Sequence, residues 1–195
     1  MARKTHGLPL PKQITPDIYE MVDRNATKIM YYANCGQHEA ERMVATRLSM
    51  GRLMKRFLDN IKDTVSGKSK VKMHMYSAHD TTIMPILAML NLEMNEWPPF
   101  AADIIFELYE DADKKHYITV RYLGKPRIVR GCDKELCPLD QFIDTLSPYQ
   151  IDEKEFNDVC HSNVLEEIAK ELLDQEEGEV ETEESKERSD YAAGL

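Results

Sequence analysis

The chain has 195 residues, 42% hydrophobic and 31% charged, enough to bury the core of one ordinary domain or of part of a larger one. Its net charge of −10 argues against nucleic acid as a partner, because binding a phosphate backbone takes clustered lysine and arginine. No apolar run reaches bilayer-spanning length, so no transmembrane segment is expected, and MARKTHGLPLPKQ lacks the apolar stretch of a secretory signal.

Residues 1–13, rich in proline and lysine, read as a loop. Thr15-Pro16-Asp17 then gives a helix start: a capping hydroxyl, proline in the first turn and an acid near the positive end of the dipole. Ile18, Met21, Val22 and Ile29 recur at helical spacing and predict a core-facing stripe, and Gly36 ends the helix. A second helix is expected over 37–65, with Val44, Leu48, Leu53, Met54, Phe57, Leu58 and Ile61 as its buried face and Gly67 closing it. In 71–76 the period changes: Val71, Met73 and Met75 alternate with Lys72 and His74, which predicts a short strand. A helix capped by Asp80 or Thr81 follows to about Leu90, with Pro85 in its early part.

WPPF at 97–100 breaks regular structure, and strands are expected over 103–109 and 116–123, joined by the turn EDADKK. Pro138 begins a short helix through Leu146, and 152–160 and 164–173 predict two more. The strongly acidic stretch from Glu166 reads as a solvated tail, disordered beyond Asp174. The layout is α/β with helical material in front: a helical portion at 1–67, a partial α/β core at 68–165 and the tail at 166–195. Three strands make a thin sheet, which suggests part of something larger.

The four cysteines do not fix a redox compartment. DKEL separates Cys132 from Cys137, a spacing open to a local disulfide; two cysteines without a histidine at ligand spacing are too few for structural zinc. Asn25-Ala26-Thr27 is a formal glycosylation sequon inside a predicted helix.

The chemistry concentrates in YSAHDTT, residues 76–82. Ligands in open α/β sheets bind beyond the carboxyl ends of strands, and a helix starting there aims free N–H groups and a positive dipole end at an anion. Protonated, His79 adds a charged donor for phosphate, and Asp80 is suited to protonate a leaving oxygen. A His-Asp pair after a strand is also an ordinary turn with the acid capping a helix, and the residues alone leave both readings open. Metal binding by His74, His79 and Asp80 is the weaker idea, since His74 and His79 fall far apart and on opposite faces of an extended chain. His6, His38, His116 and His161 have no partners that suggest chemistry.

YSAHDTT, followed by WPPFAADIIFELY and RGCDKELCPLDQF, resembles the carboxyl-terminal half of a histidine acid phosphatase, and LPLPKQITPDIYEMV fits that family's helical cap. The resemblance covers roughly residues 5–165 and is closest to members that act on lysophosphatidic acid. It implies the carboxyl-terminal part of a mostly parallel sheet flanked by helices, plus part of the cap. It further implies metal-free, cofactor-free hydrolysis of phosphomonoesters at acid pH through a phosphohistidine. His79 matches the histidine that binds the phosphate, and Asp80 the proton donor to the leaving group. The lysophosphatidate-type members imply a mitochondrial setting; others are lysosomal or secreted. The cysteine matching Cys160 pairs, in relatives, with one in the amino-terminal half, so Cys160 is expected unpaired here.

The family's nucleophile lies in an Arg-His-Gly-x-Arg-x-Pro motif, which these 195 residues do not contain; RKTHG at 3–7 has a different arrangement, and a second phosphate-clamping arginine is also missing. Without a nucleophile an acid has no covalent step to assist, so the chain alone is expected to be inactive. Two readings follow: part of a complete phosphatase, or a short non-catalytic product that binds a phosphorylated ligand or a full-length relative.

Overall fold

The computed structural model describes residues 6–7, 9, 11–92, 96–162 and 170, and divides into two compact units, residues 1–152 and 153–195. In the first unit, α1 runs Pro16–Cys35. Thr15 is extended and its hydroxyl accepts from the Ile18 N–H, with Pro16 and Asp17 in the first turn. Gly36 ends the helix at φ 74°, where an added Cβ would meet the Arg42 amide nitrogen at 2.8 Å, so only glycine fits. α2 follows over Glu39–Val65 and α3 over Asp80–Met89.

A hairpin comes next. β1 (Ile104–Glu110) and β2 (His116–Tyr122) pair antiparallel from Ile104↔Tyr122 to Glu110↔His116. Asp111 orders their turn by accepting from the Asp113 and Lys115 amides, each at 2.9 Å. Two short strands that sequence periodicity did not reveal complete the sheet: β3 (Lys125–Arg127) and β4 (Leu136–Pro138) both pair antiparallel with β2. Leu123 and Gly124, at φ 52° and 71°, make the two-residue β2–β3 turn, whose positive φ values suit the right-handed strand twist. α4 (Leu139–Leu146) and a 3-10 turn (Ser147–Tyr149) close the unit.

This is the mixed helix-and-sheet organisation the sequence pointed to, with all four described strands antiparallel. Along β1, Ile104, Phe106 and Leu108 turn to the core while Ile105 and Tyr109 face out, the period-two pattern of a strand. Met54 and Leu58 of α2, Ile86, Met89 and Leu90 at α3, Ile118 and Val120 of β2, and Phe142 and Leu146 of α4 share one core. Phe106 joins its sides, with ring centroids 5.6 Å from Phe57 and 6.1 Å from Phe142. The predicted face of α2 is correct for Leu53, Met54, Phe57, Leu58 and Ile61, while Val44 and Leu48 are half-buried outside this core. Gly51 lets that helix approach closely: a Cβ there would lie 2.5 Å from the Tyr149 carbonyl oxygen.

RGCDKELCPLDQF acquires a structural account. The Arg130 amide and its Nε donate to the Leu90 and Met89 carbonyls at 2.8 and 3.2 Å, closing the carboxyl end of α3, and Nη1 lies 3.0 Å from Glu39 Oε1. Gly131, at φ 74°, lies against Thr145 and accepts from Gln141. Cys132 and Cys137 form a disulfide with Cα atoms 5.5 Å apart.

Two expectations are corrected. Residues 71–76 form no strand: among the described residues, 72–78 make no backbone–backbone hydrogen bond. A strand exists only within a ladder, and no described strand pairs with these residues. Met73 and Met75 are 68% and 80% exposed. The apolar stripe of α1 is likewise not core, since Ile18, Met21, Val22 and Ile29 are all exposed. α1 is anchored instead through Cys35, which clusters with Met84 and Ala88 of α3 and with Met30, Tyr31 and Trp97.

In the second unit, α5 spans Glu153–Cys160, and Cys160 is free and exposed. Of the helix expected over 164–173 residue 170 alone is described, and it is helical; the disorder expected beyond Asp174 lies outside the described residues.

Candidate active site

α3 is apolar on every side from Met84 to Leu90 and is buried there, which is the only stable setting for such a helix. Its polar first turn reaches the surface and carries the histidine and the acid. His79 is the N-cap residue, extended at φ −117° and ψ 166°. Its carbonyl accepts from the Thr82 and Ile83 amides at 3.0 and 3.1 Å, and its own N–H donates to the Thr82 hydroxyl at 3.5 Å. The backbone of His79 is thus tied into the helix while the residue itself is exposed.

Asp80, the first helical residue, is half-buried. Its Oδ1 accepts from the Thr81 amide at 2.8 Å, and its Oδ2 accepts from the indole Nε1–H of Trp97, also at 2.8 Å. Each carboxylate oxygen has two acceptor positions, so these bonds orient the group and leave one position per oxygen for a ligand. The bland reading, an acid at a helix start, is therefore partly true: Asp80 does bond the first turn. It is also gripped from a second direction.

Trp97 is the neighbour of Asp80 that sequence reasoning missed. WPPF registered there only as a breaker. The available signal was a general one: a half-buried tryptophan usually finds an acceptor for its N–H. Besides bonding Asp80, Trp97 forms an apolar cleft of about 280 Å³ with Tyr19, Val22, Asp23 and Ala26 of α1.

The other singled-out residues do not join this site. His74 is exposed in the irregular segment. His116 Nε2 lies 3.3 Å from Glu110 Oε2, His161 Nδ1 lies 2.6 Å from the Asn157 carbonyl, and His38 is the N-cap of α2. Among the described residues no three His, Cys, Asp or Glu side chains gather as a metal-binding group, and no helix is long and apolar enough to cross a membrane. Burial pushes the Cys35 thiol up to about 12, so it is not a reactive thiolate at neutral pH. In the sequon Asn25-Ala26-Thr27, Thr27 is buried and its hydroxyl donates to the Asp23 carbonyl at 2.9 Å.

Residues 12–123 match the histidine phosphatase superfamily, branch 2. The chain is 34% identical over 112 residues to lysophosphatidic acid phosphatase type 6 of Mus musculus, covering 57% of this chain and 27% of that protein. It is 29% identical over 161 residues to the Bos taurus protein of the same name, 82% of this chain and 37% of the relative. It is 29% identical over 164 residues to counting factor 60 of Dictyostelium discoideum, 84% and 37% respectively. The chain thus spans between about a quarter and two-fifths of the length of these curated relatives.

Proposed function

This chain belongs to the histidine phosphatase superfamily, branch 2, and from that membership we propose that it carries the phosphate-binding histidine and the proton donor of a phosphomonoester hydrolase. His79 takes the first role and Asp80 the second. The substrate is a lysophosphatidic acid, cleaved to monoacylglycerol and phosphate; the names of the mouse and cattle relatives support that choice. The observation that carries the reading is the oriented Asp80 carboxyl, half-buried at the start of α3 one residue from an exposed histidine.

In the proposed reaction a histidine nucleophile outside these 195 residues attacks phosphorus, the phosphorus–oxygen ester bond breaks, and Asp80 gives its proton to the departing alkoxide. Water then attacks the phosphohistidine, and Asp80, now a carboxylate, takes a proton back. His79, as imidazolium, holds phosphoryl oxygens alongside the N–H groups of the first turn of α3. A non-catalytic product that binds a phosphorylated ligand or a full-length relative is the second reading. It is favoured by one observation, the lack of an Arg-His-Gly-x-Arg-x-Pro motif in this sequence.

Both readings require anion binding at His79. Calorimetric titration with inorganic phosphate at pH 5.5 is expected to show saturable binding that weakens at least about tenfold in His79→Ala, the effect of losing one charge-assisted hydrogen bond. Equal binding by the two proteins would remove His79 from the site.

A further inference from the structure

Trp97 belongs to two structures at once. Its N–H edge bonds Asp80 Oδ2 at 2.8 Å, and its ring walls the cleft made with Tyr19, Val22, Asp23 and Ala26. A group lodged against that ring lies beside the carboxyl assigned to protonate the leaving oxygen. In a phosphomonoester the part next to the leaving oxygen is the carbon skeleton of the alcohol. We infer that this cleft receives the hydrocarbon part of the leaving alcohol, with Trp97 the residue that joins chain recognition to the acid. The inference rests on the proposed role of Asp80.

Three features select the occupant. The walls are mainly apolar. At about 280 Å³ the cleft is just smaller than ordinary ligand sites of roughly 300–1,000 Å³, and suits a chain rather than a fused ring system. Asp23 is the charged group in the lining. It repels a second anionic group, as in a nucleotide or a polyphosphate, and accepts a hydrogen bond from a hydroxyl on the alcohol.

The test uses the fact that Trp97 is the sole tryptophan of the chain, so its emission reports this cleft. The protein at sub-micromolar concentration is titrated with dodecyl phosphate, ethyl phosphate and the neutral amphiphile dodecyl glycerol, each below its micelle threshold. Dodecyl phosphate is expected to shift the emission to the blue and to bind at least about tenfold more tightly than ethyl phosphate, the gain from burying about two methylenes. Ala26→Asp and Val22→Asp, both at exposed positions, are expected to remove the chain-length gain while ethyl phosphate still binds. Followed by calorimetry, Trp97→Phe keeps the gain because a ring remains, and Trp97→Ala loses it.

Equal affinity for ethyl and dodecyl phosphate, with no blue shift, overturns the inference and leaves the phosphate reading intact. Dodecyl glycerol binding as tightly as dodecyl phosphate, with the blue shift, supports a chain-binding cleft and overturns the phosphate reading of His79 and Asp80. A blue shift produced by raising the protein concentration alone assigns this face to a second copy of the chain and overturns the inference.

Discussion

Joined to a polypeptide that supplies an Arg-His-Gly-x-Arg-x-Pro nucleophile, the chain is expected to hydrolyse alkyl phosphates, and Asp80→Asn is expected to lower kcat by about 10²–10⁴-fold, the range for loss of a positioned general acid. An alkoxide is a poor leaving group, so its departure depends on a proton at the bridging oxygen. A nitrophenolate leaves without one, and the loss on nitrophenyl phosphate should be much smaller. That contrast separates chemistry from damage. An asparagine side chain has one acceptor oxygen, whereas Asp80 accepts from both the Thr81 amide and the Trp97 indole. The substitution therefore strands one donor, at a cost of about 1–3 kcal/mol if that donor stays out of water. A structural loss of this kind affects every substrate alike. An equal fall in kcat on alkyl and nitrophenyl phosphates would assign Asp80 to capping rather than proton transfer.

The second large effect concerns association. Val71, Met73, Met75 and Tyr76 are exposed in a segment without backbone pairing, with the Tyr76 ring 4.9 Å from that of Phe57. Burying each such side chain contributes about 1.5–3 kcal/mol. The unpaired segment offers donors and acceptors to any strand that arrives. The isolated chain is expected to self-associate at micromolar concentration in sedimentation velocity, and the double substitution Met73→Lys with Met75→Lys to remain monomeric at that concentration. A soluble monomer of the unsubstituted chain with a sharp, cooperative thermal transition would contradict this. The same exposed segment leads directly into His79, so whatever covers it also borders the site.

What the sequence made legible was local. The Thr15 cap, the stop at Gly36 and the turn after Glu110 are written in a few adjacent residues, and the structure keeps each of them. The inward face of β1 follows from the alternation of Ile104, Phe106 and Leu108. Residues 71–76 carry the same alternation and form no strand, because pairing depends on residues elsewhere in space. The stripe on α1 shows the same limit: periodicity reveals that a helix has an apolar face, and not what covers it. Gly51 gives no local sign of its role, which comes from the Tyr149 carbonyl arriving from the far end of the first unit. The contact of Trp97 with Asp80 is also tertiary, across 17 positions of sequence. His79 and Asp80 stood out early, through a motif, while the neighbour that orients the acid did not.

The most direct test of the account is the rate at which the 195-residue chain alone releases phosphate from a phosphomonoester at acid pH. On the proposed roles, Asp80 supplies a proton and His79 a phosphate ligand but no residue forms a phosphohistidine, so the predicted result is no release above background by a protein that still binds inorganic phosphate. Robust turnover that disappears in His79→Ala would contradict it, and would place a nucleophile among residues to which no such role is assigned here.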